Sequence, residues 1–127
     1  SDVYKRQALI DAKKGLRMFQ KVNVPILGII ENMSVFICPH CGEVEHIFGE
    51  GGAKRMSEQY GVPLLGELPL SAKIREQADS GLPTVAAEPD GKEALMYREM
   101  AMKVAGALAR ITKDYTAKMP GIRVVND

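Results

Sequence analysis

Two short apolar runs limit the fold of this chain more than any other feature: Val24-Pro25-Ile26-Leu27-Gly28-Ile29-Ile30 and Val62-Pro63-Leu64-Leu65-Gly66. Both are close to continuous in apolar side chains, the pattern of strands buried on both faces of a parallel sheet. Between them lie a segment without sustained period, from Asn32 to Glu50, which carries both cysteines with Gly42 and Gly49, and a short helical pattern from Gly51 to Tyr60 that stops at Gly61. A strand, a loop with a helix, and a second strand make a βαβ unit, whose strands run parallel through a right-handed crossover. The expected class is therefore α/β, with a parallel sheet and flanking helices. Strand one is expected over Pro25–Ile30 and strand two over Val62–Pro69. The likeness of Val-Pro-Ile-Leu-Gly to Val-Pro-Leu-Leu-Gly is too short to mark a repeat.

Helices account for most of the remainder. Leu9, Ala12, Leu16 and Phe19 recur at helical spacing among Asp11, Lys13, Lys14 and Arg17, which predicts an amphipathic helix from Ala8 to Val22 lying on the sheet. Ser71 is a candidate N-cap for a helix to Asp79, with Gly81 and Pro83 as its stop. A longer helix is expected from Gly91 to Thr112, burying Ala94, Tyr97, Ala101, Val104, Ala105, Leu108 and Ile111. Residues 1–7 fit the first helix poorly and read as a non-native leader, with a frayed helix start as the alternative. Residues 8–112 then form the folded portion and residues 113–127 a C-terminal tail. A sheet of two strands is a marginal core, so an N-terminal portion of the domain is expected to be missing from this chain.

Charge excludes whole classes of partner. Seventeen basic and sixteen acidic residues leave a formal net charge of +1, which gives no electrostatic basis for binding nucleic acid or an anionic membrane. Neither apolar run approaches the roughly 20 residues that span a bilayer, and a cytoplasmic location is expected. The chain has two cysteines, too few for a disulfide framework and suited to metal or redox chemistry in a reducing compartment.

Those two cysteines form a knuckle, Cys38-Pro39-His40-Cys41-Gly42. Thiolates at this spacing can face one metal, while Pro39 and Gly42 shape a turn whose amides can reach the sulfurs. Zinc and iron–sulfur clusters usually take four protein ligands, so the knuckle is half a site, and a second copy across a two-fold axis could supply the other half. Two other chemistries use the same spacing. A structural zinc ribbon would need a second knuckle in the same chain, or His40 and His46 as further ligands. A thiol–disulfide oxidoreductase would want the first cysteine at a helix N-terminus, yet Gly42, Val44, Ile47, Phe48 and Gly49 do not continue a helix. His40 reads as a solvated turn residue and His46 as a hydrogen-bonded structural residue, neither being assigned as a ligand.

Four strings now stand in order: Gly28-Ile29-Ile30-Glu31-Asn32-Met33-Ser34, the knuckle, His46-Ile47-Phe48-Gly49 with Gly51-Gly52-Ala53, and Leu65-Gly66-Glu67-Leu68-Pro69-Leu70. Together, over about Ala8 to Val85, they resemble the C-terminal half of the Mrp/ApbC iron–sulfur cluster carriers, P-loop ATPases of the deviant Walker class related to MinD and ParA. The resemblance implies a P-loop NTPase-like sheet truncated at its N-terminus. It implies a homodimer that holds a bridging 4Fe-4S cluster on Cys38 and Cys41 and delivers it, under control of ATP, to apo iron–sulfur proteins. It further implies that Asn32, at the end of a strand, contacts the adenine of ATP. An amide offers a donor and an acceptor side by side, which suits a base edge, although an asparagine there also serves as a turn residue. Pro69 and Leu70 are candidates to frame the base.

The sequence departs from that pattern in one respect. No phosphate loop occurs: Gly49-Glu50-Gly51-Gly52-Ala53-Lys54 lacks the required spacing, and Arg55 stands where Ser or Thr is needed. ATP with its magnesium would be held by the missing N-terminal half, and no catalytic residue is assigned here. The 127-residue chain alone should release no phosphate from ATP above a no-protein control. Turnover by the isolated chain would show that its phosphate-binding machinery had been overlooked.

Overall fold

The structure, a computed structural model, describes residues 2–47 and 49–118. Ser1, Phe48 and tail residues 119–127 lie outside them. In chain order the elements are α1 (Asp2–Lys21), β1 (Ile29–Glu31), β2 (Val35–Ile37), β3 (Val44–His46), α2 (Gly52–Tyr60), β4 (Leu64–Glu67), α3 (Ala72–Asp79), α4 (Thr84–Ala87) and α5 (Lys92–Lys118).

The fold is α/β, and its centre is the parallel pair expected from the two apolar runs. β1 lies beside β4 in the register Ile29↔Leu64, Ile30↔Gly66 and Glu31↔Glu67, with an irregularity between Ile29 and Ile30. The ladder is shorter than the apolar runs because Pro25 and Pro63 have no N–H to donate. It opens with Ile29 N–H donating to the Pro63 carbonyl at 2.8 Å. The apolar residues left off the ladder still have work in the core, where Leu16, Met56 and Val62 form a buried cluster with Ile26, Ile29 and Tyr60 packed around it. Arg17 of α1 lies over the Tyr60 ring, 5.9 Å from its centroid.

Several boundaries differ from the sequence expectation. α1 begins at Asp2, within the stretch expected to lie outside the helix, and Gln7 Nε2 donates to Asp11 Oδ1 one turn on at 2.9 Å. It buries Leu16 and half-buries Leu9, whereas Ala12 and Phe19 are exposed. α2 and α3 match their sequence signals: Gly61 closes α2 in the left-handed region at φ 64°, and Ser71 Oγ accepts from Ile74 N at the start of α3. α5 runs to Lys118 rather than Thr112, so residues 113–118, expected as tail, are helical. Its inward stripe includes Ala94, Tyr97, Val104 and Ile111 as expected but adds Met100 and Ala107, leaving Ala101, Ala105 and Leu108 exposed. Gly66 decides this phase, because a Cβ there would meet the Met100 side chain at 3.1–3.3 Å. The Asn32–Glu50 segment, expected as loop, contains an antiparallel hairpin, β2 with β3.

Gly28 is held to glycine by close approach. A Cβ at that position would collide with the Leu65 side chain and lie 2.7 Å from the Pro63 carbonyl oxygen. Gly28→Ala should therefore destabilise the chain by about 1–3 kcal/mol through overpacking. Gly106→Ala is the control: the position is helical and nothing lies within 4 Å of an added Cβ, so the urea midpoint should rise by an amount equal to about 0.5–1 kcal/mol. Equal midpoints for the two variants would contradict the packing assigned to Gly28.

Candidate functional site

β1 ends at Glu31, and the chain turns at Asn32 and Met33. Met33 takes φ 53°, in the left-handed region that non-glycine residues seldom occupy, and its N–H donates to Asn32 Oδ1 at 3.0 Å. The next residue anchors the turn. Ser34 is buried, and both its N–H (2.8 Å) and its hydroxyl (3.1 Å) donate to the Leu68 carbonyl. On either side of that anchor, Leu68 N–H donates to the Glu31 carbonyl at 2.8 Å and Leu70 N–H to the Val35 carbonyl at 2.7 Å. β2 thus continues along the segment that leaves β4, and Phe36 forms a parallel bridge with Leu70.

From this base the hairpin carries the knuckle at its tip. Val35 pairs with His46, Phe36 with Glu45 and Ile37 with Val44. Beyond the last rung Cys38 N–H donates to the Glu43 carbonyl and Gly42 N–H to the Cys38 carbonyl, each at 2.9 Å, with Gly42 at φ 74°. Pairing outside the loop and a left-handed glycine inside it force a tight reversal that brings the two sulfurs together. Cys38 is half-buried, Cys41 is exposed and both thiols are free. The Cys38 thiol ionises below its ordinary value because the backbone N–H groups of Cys41 and His40 and the Cys41 thiol stabilise its anion. Amide support of this kind is what a metal-bound thiolate requires.

Among the described residues no group of three or more His, Cys, Asp and Glu stands close enough to hold a metal ion. His40 and His46, both exposed, do not complete a site with the cysteines. Asn32 is exposed at the opposite end of the hairpin. Pro69 and Leu70 instead line a cavity of about 470 Å³ with Phe36, Ile37, Pro39 and Lys73, and Asn32 is absent from its lining. In that cavity Pro69 and Leu70 stand without the Asn32 amide. Sequence reading missed two features of this region: the anchoring role of Ser34, which a lone serine does not signal, and the opposition of Glu31 to Glu67, which emerges only from the register.

Comparison with known proteins bears on the same segments. A family model described as ParA, a NUBPL iron-transfer P-loop NTPase, matches residues 4–105. The chain belongs to that family. A Pseudomonas fragi protein named iron-sulfur cluster carrier protein is 56% identical over 95 residues, covering 75% of this chain and 33% of the relative. The Escherichia coli K12 protein of the same name is 54% identical over 101 residues, covering 80% of this chain and 27% of the relative. The iron-sulfur cluster transfer protein NUBPL of Dictyostelium discoideum is 45% identical over 107 residues, 84% of this chain and 33% of its own length. The chain therefore spans a third or less of the length of these curated relatives.

For this member of the NUBPL-type P-loop NTPases, the hairpin geometry predicts how the metal-free thiols titrate. Thiolate absorbance in the ultraviolet should show Cys38 ionising below an ordinary cysteine. Cys41→Ala should move that ionisation upward, since it removes the Cys41 thiol that stabilises the Cys38 anion. An unchanged Cys38 titration in the variant would contradict the tip geometry.

Proposed function

We propose that this chain is the cluster-holding portion of an ATP-dependent iron–sulfur cluster carrier. Two copies present Cys38 and Cys41 to a single 4Fe-4S cluster, which is cargo that the dimer holds between subunits and yields to apo iron–sulfur proteins. The observation that supports this most is the half-site itself: two free thiols at the tip of a hairpin, one of them exposed, with no third ligand from the described residues beside them. A cubane cluster usually takes four thiolates, and a two-fold axis doubles two into four. The names of the relatives from Pseudomonas fragi, Escherichia coli and Dictyostelium discoideum point to the same cargo.

Each rival chemistry lacks a part. A zinc ribbon closes with a second knuckle, and the sequence has no other cysteines. An oxidoreductase lowers its first thiol's pKa at a helix N-terminus, whereas Cys38 follows a strand and gains its support from a turn. In the proposed carrier Asn32 reads the adenine edge, while the phosphates and magnesium are held by parts of the protein for which this sequence offers no candidate. A reducing, cytoplasmic setting suits the free thiols. Among the described residues no helix is long and apolar enough to cross a membrane.

Anaerobic reconstitution of the intact carrier tests the cargo. About four irons with matching acid-labile sulfide per two copies are expected. Zinc bound without sulfide would sink the idea. Cys38→Ala or Cys41→Ala should each abolish stable iron binding, because one substitution removes two ligands of four in a symmetric dimer. Either variant should still bind ATP. Asn32→Ala should have the opposite profile, with normal iron content and a nucleotide affinity weakened by about 0.5–3 kcal/mol. Titration with a fluorescent ATP analogue measures it, and an unchanged dissociation constant would remove Asn32 from the site.

A further inference from the structure

Pro39, His40 and Cys41 make a single turn of helical type at the tip of the hairpin. It is closed by Gly42 N–H donating to the Cys38 carbonyl at 2.9 Å and stopped by Gly42 itself at φ 74°. Residues three apart on such a turn share a face, with Cβ atoms about 5–6 Å apart. A disulfide holds its Cβ atoms roughly 3.5–4.5 Å apart, so Cys38 and Cys41 stand about 1–2 Å from the bonded geometry. Little opposes that adjustment, because Pro39, His40, Cys41 and Gly42 are all exposed. Cys38 N–H, donating to the Glu43 carbonyl at 2.9 Å, ties the first cysteine to the strand end while the turn closes on it. The two thiols differ in access: both are free, but Cys41 is exposed and Cys38 half-buried.

We propose that the metal-free knuckle is a thiol–disulfide switch, closing on itself as a Cys38–Cys41 disulfide that withdraws both ligands of the half-site from cargo. The oxidant is a small-molecule disulfide of the glutathione class. Cys41, the accessible thiol, attacks as its thiolate: a mixed disulfide between Cys41 and glutathione forms, and one glutathione thiolate leaves. The Cys38 thiolate then attacks the Cys41 sulfur, the bond between the cysteines forms, and the second glutathione leaves as thiolate. Two protein thiols are oxidised, one disulfide is reduced to two thiols, and the two protons lost by the cysteines end on the departing glutathiones. The second step is intramolecular within one turn, so it outruns attack by another glutathione or another chain. Control of cargo by this bond rests on the carrier reading, whereas formation of the bond does not.

Closure and cargo exclude each other because they use the same two sulfur atoms. The metal ligand is the thiolate, and sulfurs bonded to one another are no longer thiolates. In a symmetric pair each closed knuckle removes two ligands of four, so one oxidised copy is enough to block a shared site. The hairpin itself need not change. Its rungs, Val35↔His46, Phe36↔Glu45 and Ile37↔Val44, lie outside the loop that the new bond closes, which holds only Pro39 and His40 between the cysteines. A thiol reductant runs the two exchanges backwards and restores both ligands. Such a device fits a reducing compartment, where the disulfides that occur are commonly transient and redox-sensing.

The 127-residue chain, metal-free and reduced, is incubated with oxidised glutathione and followed by mass and by free-thiol count. Its mass should fall by about two units, for the two hydrogens lost, both thiols should disappear together, and no chains should cross-link. Reductant should restore both. Cys38→Ser should stop at the mixed disulfide and gain the mass of one glutathione. Cys41→Ser should gain it several-fold more slowly, since its remaining thiol is half-buried. Stable glutathione adducts on the wild type, cross-linked chains, or equal rates in the two variants would overturn the proposal. A second measurement uses the intact carrier with ferrous iron alone, because sulfide would itself reduce the bond. Reduced carrier should retain iron that oxidised carrier does not, and retention by both forms would refute the control of cargo. Reduced carrier that retains no iron would count against the carrier reading, while the thiol chemistry, measured without metal, decides the switch by itself.

Discussion

The Leu68 carbonyl is the point on which this structure turns. It accepts both the backbone N–H and the hydroxyl of Ser34, in a buried setting where an unpaired donor would cost about 1–3 kcal/mol. That pair of hydrogen bonds converts the end of a short parallel ladder into a mount for a hairpin. Without it, the Asn32–Met33 turn would join the sheet to a loop of undefined direction. With it, β2 is carried along the segment leaving β4, and the position of the knuckle follows from three rungs of antiparallel pairing. Each thiol is thus placed by backbone bonding that can be traced to β1 and β4.

Such a mount suits a ligand pair that must meet a second pair. A knuckle inside the core would be well ordered and unreachable, and one on a free loop would be reachable without direction. Here the strands fix the direction, while Cys41 and His40 remain exposed. The exposed apolar residues Ile37 and Val44 form the rung below the knuckle and would be costly to leave in water over any large area. In the dimer proposed above they would lie beside the shared cargo.

What could be read from the sequence was whatever is encoded locally. Val24–Ile30 and Val62–Gly66 announce a buried parallel pair by composition alone, and Ser71, Gly61 and Gly81 mark helix boundaries by the chemistry of caps. The knuckle is legible because two thiols at fixed spacing have few uses. The hairpin was illegible because β2 and β3 are three residues each, too short for alternation to show, with Glu45 opposite Phe36 blurring the pattern. The phase of α5 was missed for a different reason. Alanines at 101, 105 and 107 are indistinguishable by hydropathy, and only Met100 lying against Gly66 shows which face is turned inward. The opposition of Glu31 to Glu67 depends on register, which includes an irregularity no local pattern specifies.

The two candidate sites lie at opposite ends of the hairpin. Asn32 stands at its base, beside the strand end, and the thiols stand at its tip. A hairpin closed by three residue pairs and anchored by Ser34 moves more readily about its base than it bends along its length, because bending breaks rungs whereas tilting strains only the anchor. In a dimer that holds its cargo across the axis, two knuckles tilted together would part or approach without unfolding. Met33, kept in the left-handed region beside the candidate adenine contact, sits where that tilt would begin, since a residue in a sparsely populated conformation is the cheapest one to relax. In the proposed carrier the candidate adenine contact, the Ser34 anchor and the cysteine hairpin are consecutive in the chain, so the two sites are joined by a short stretch of backbone.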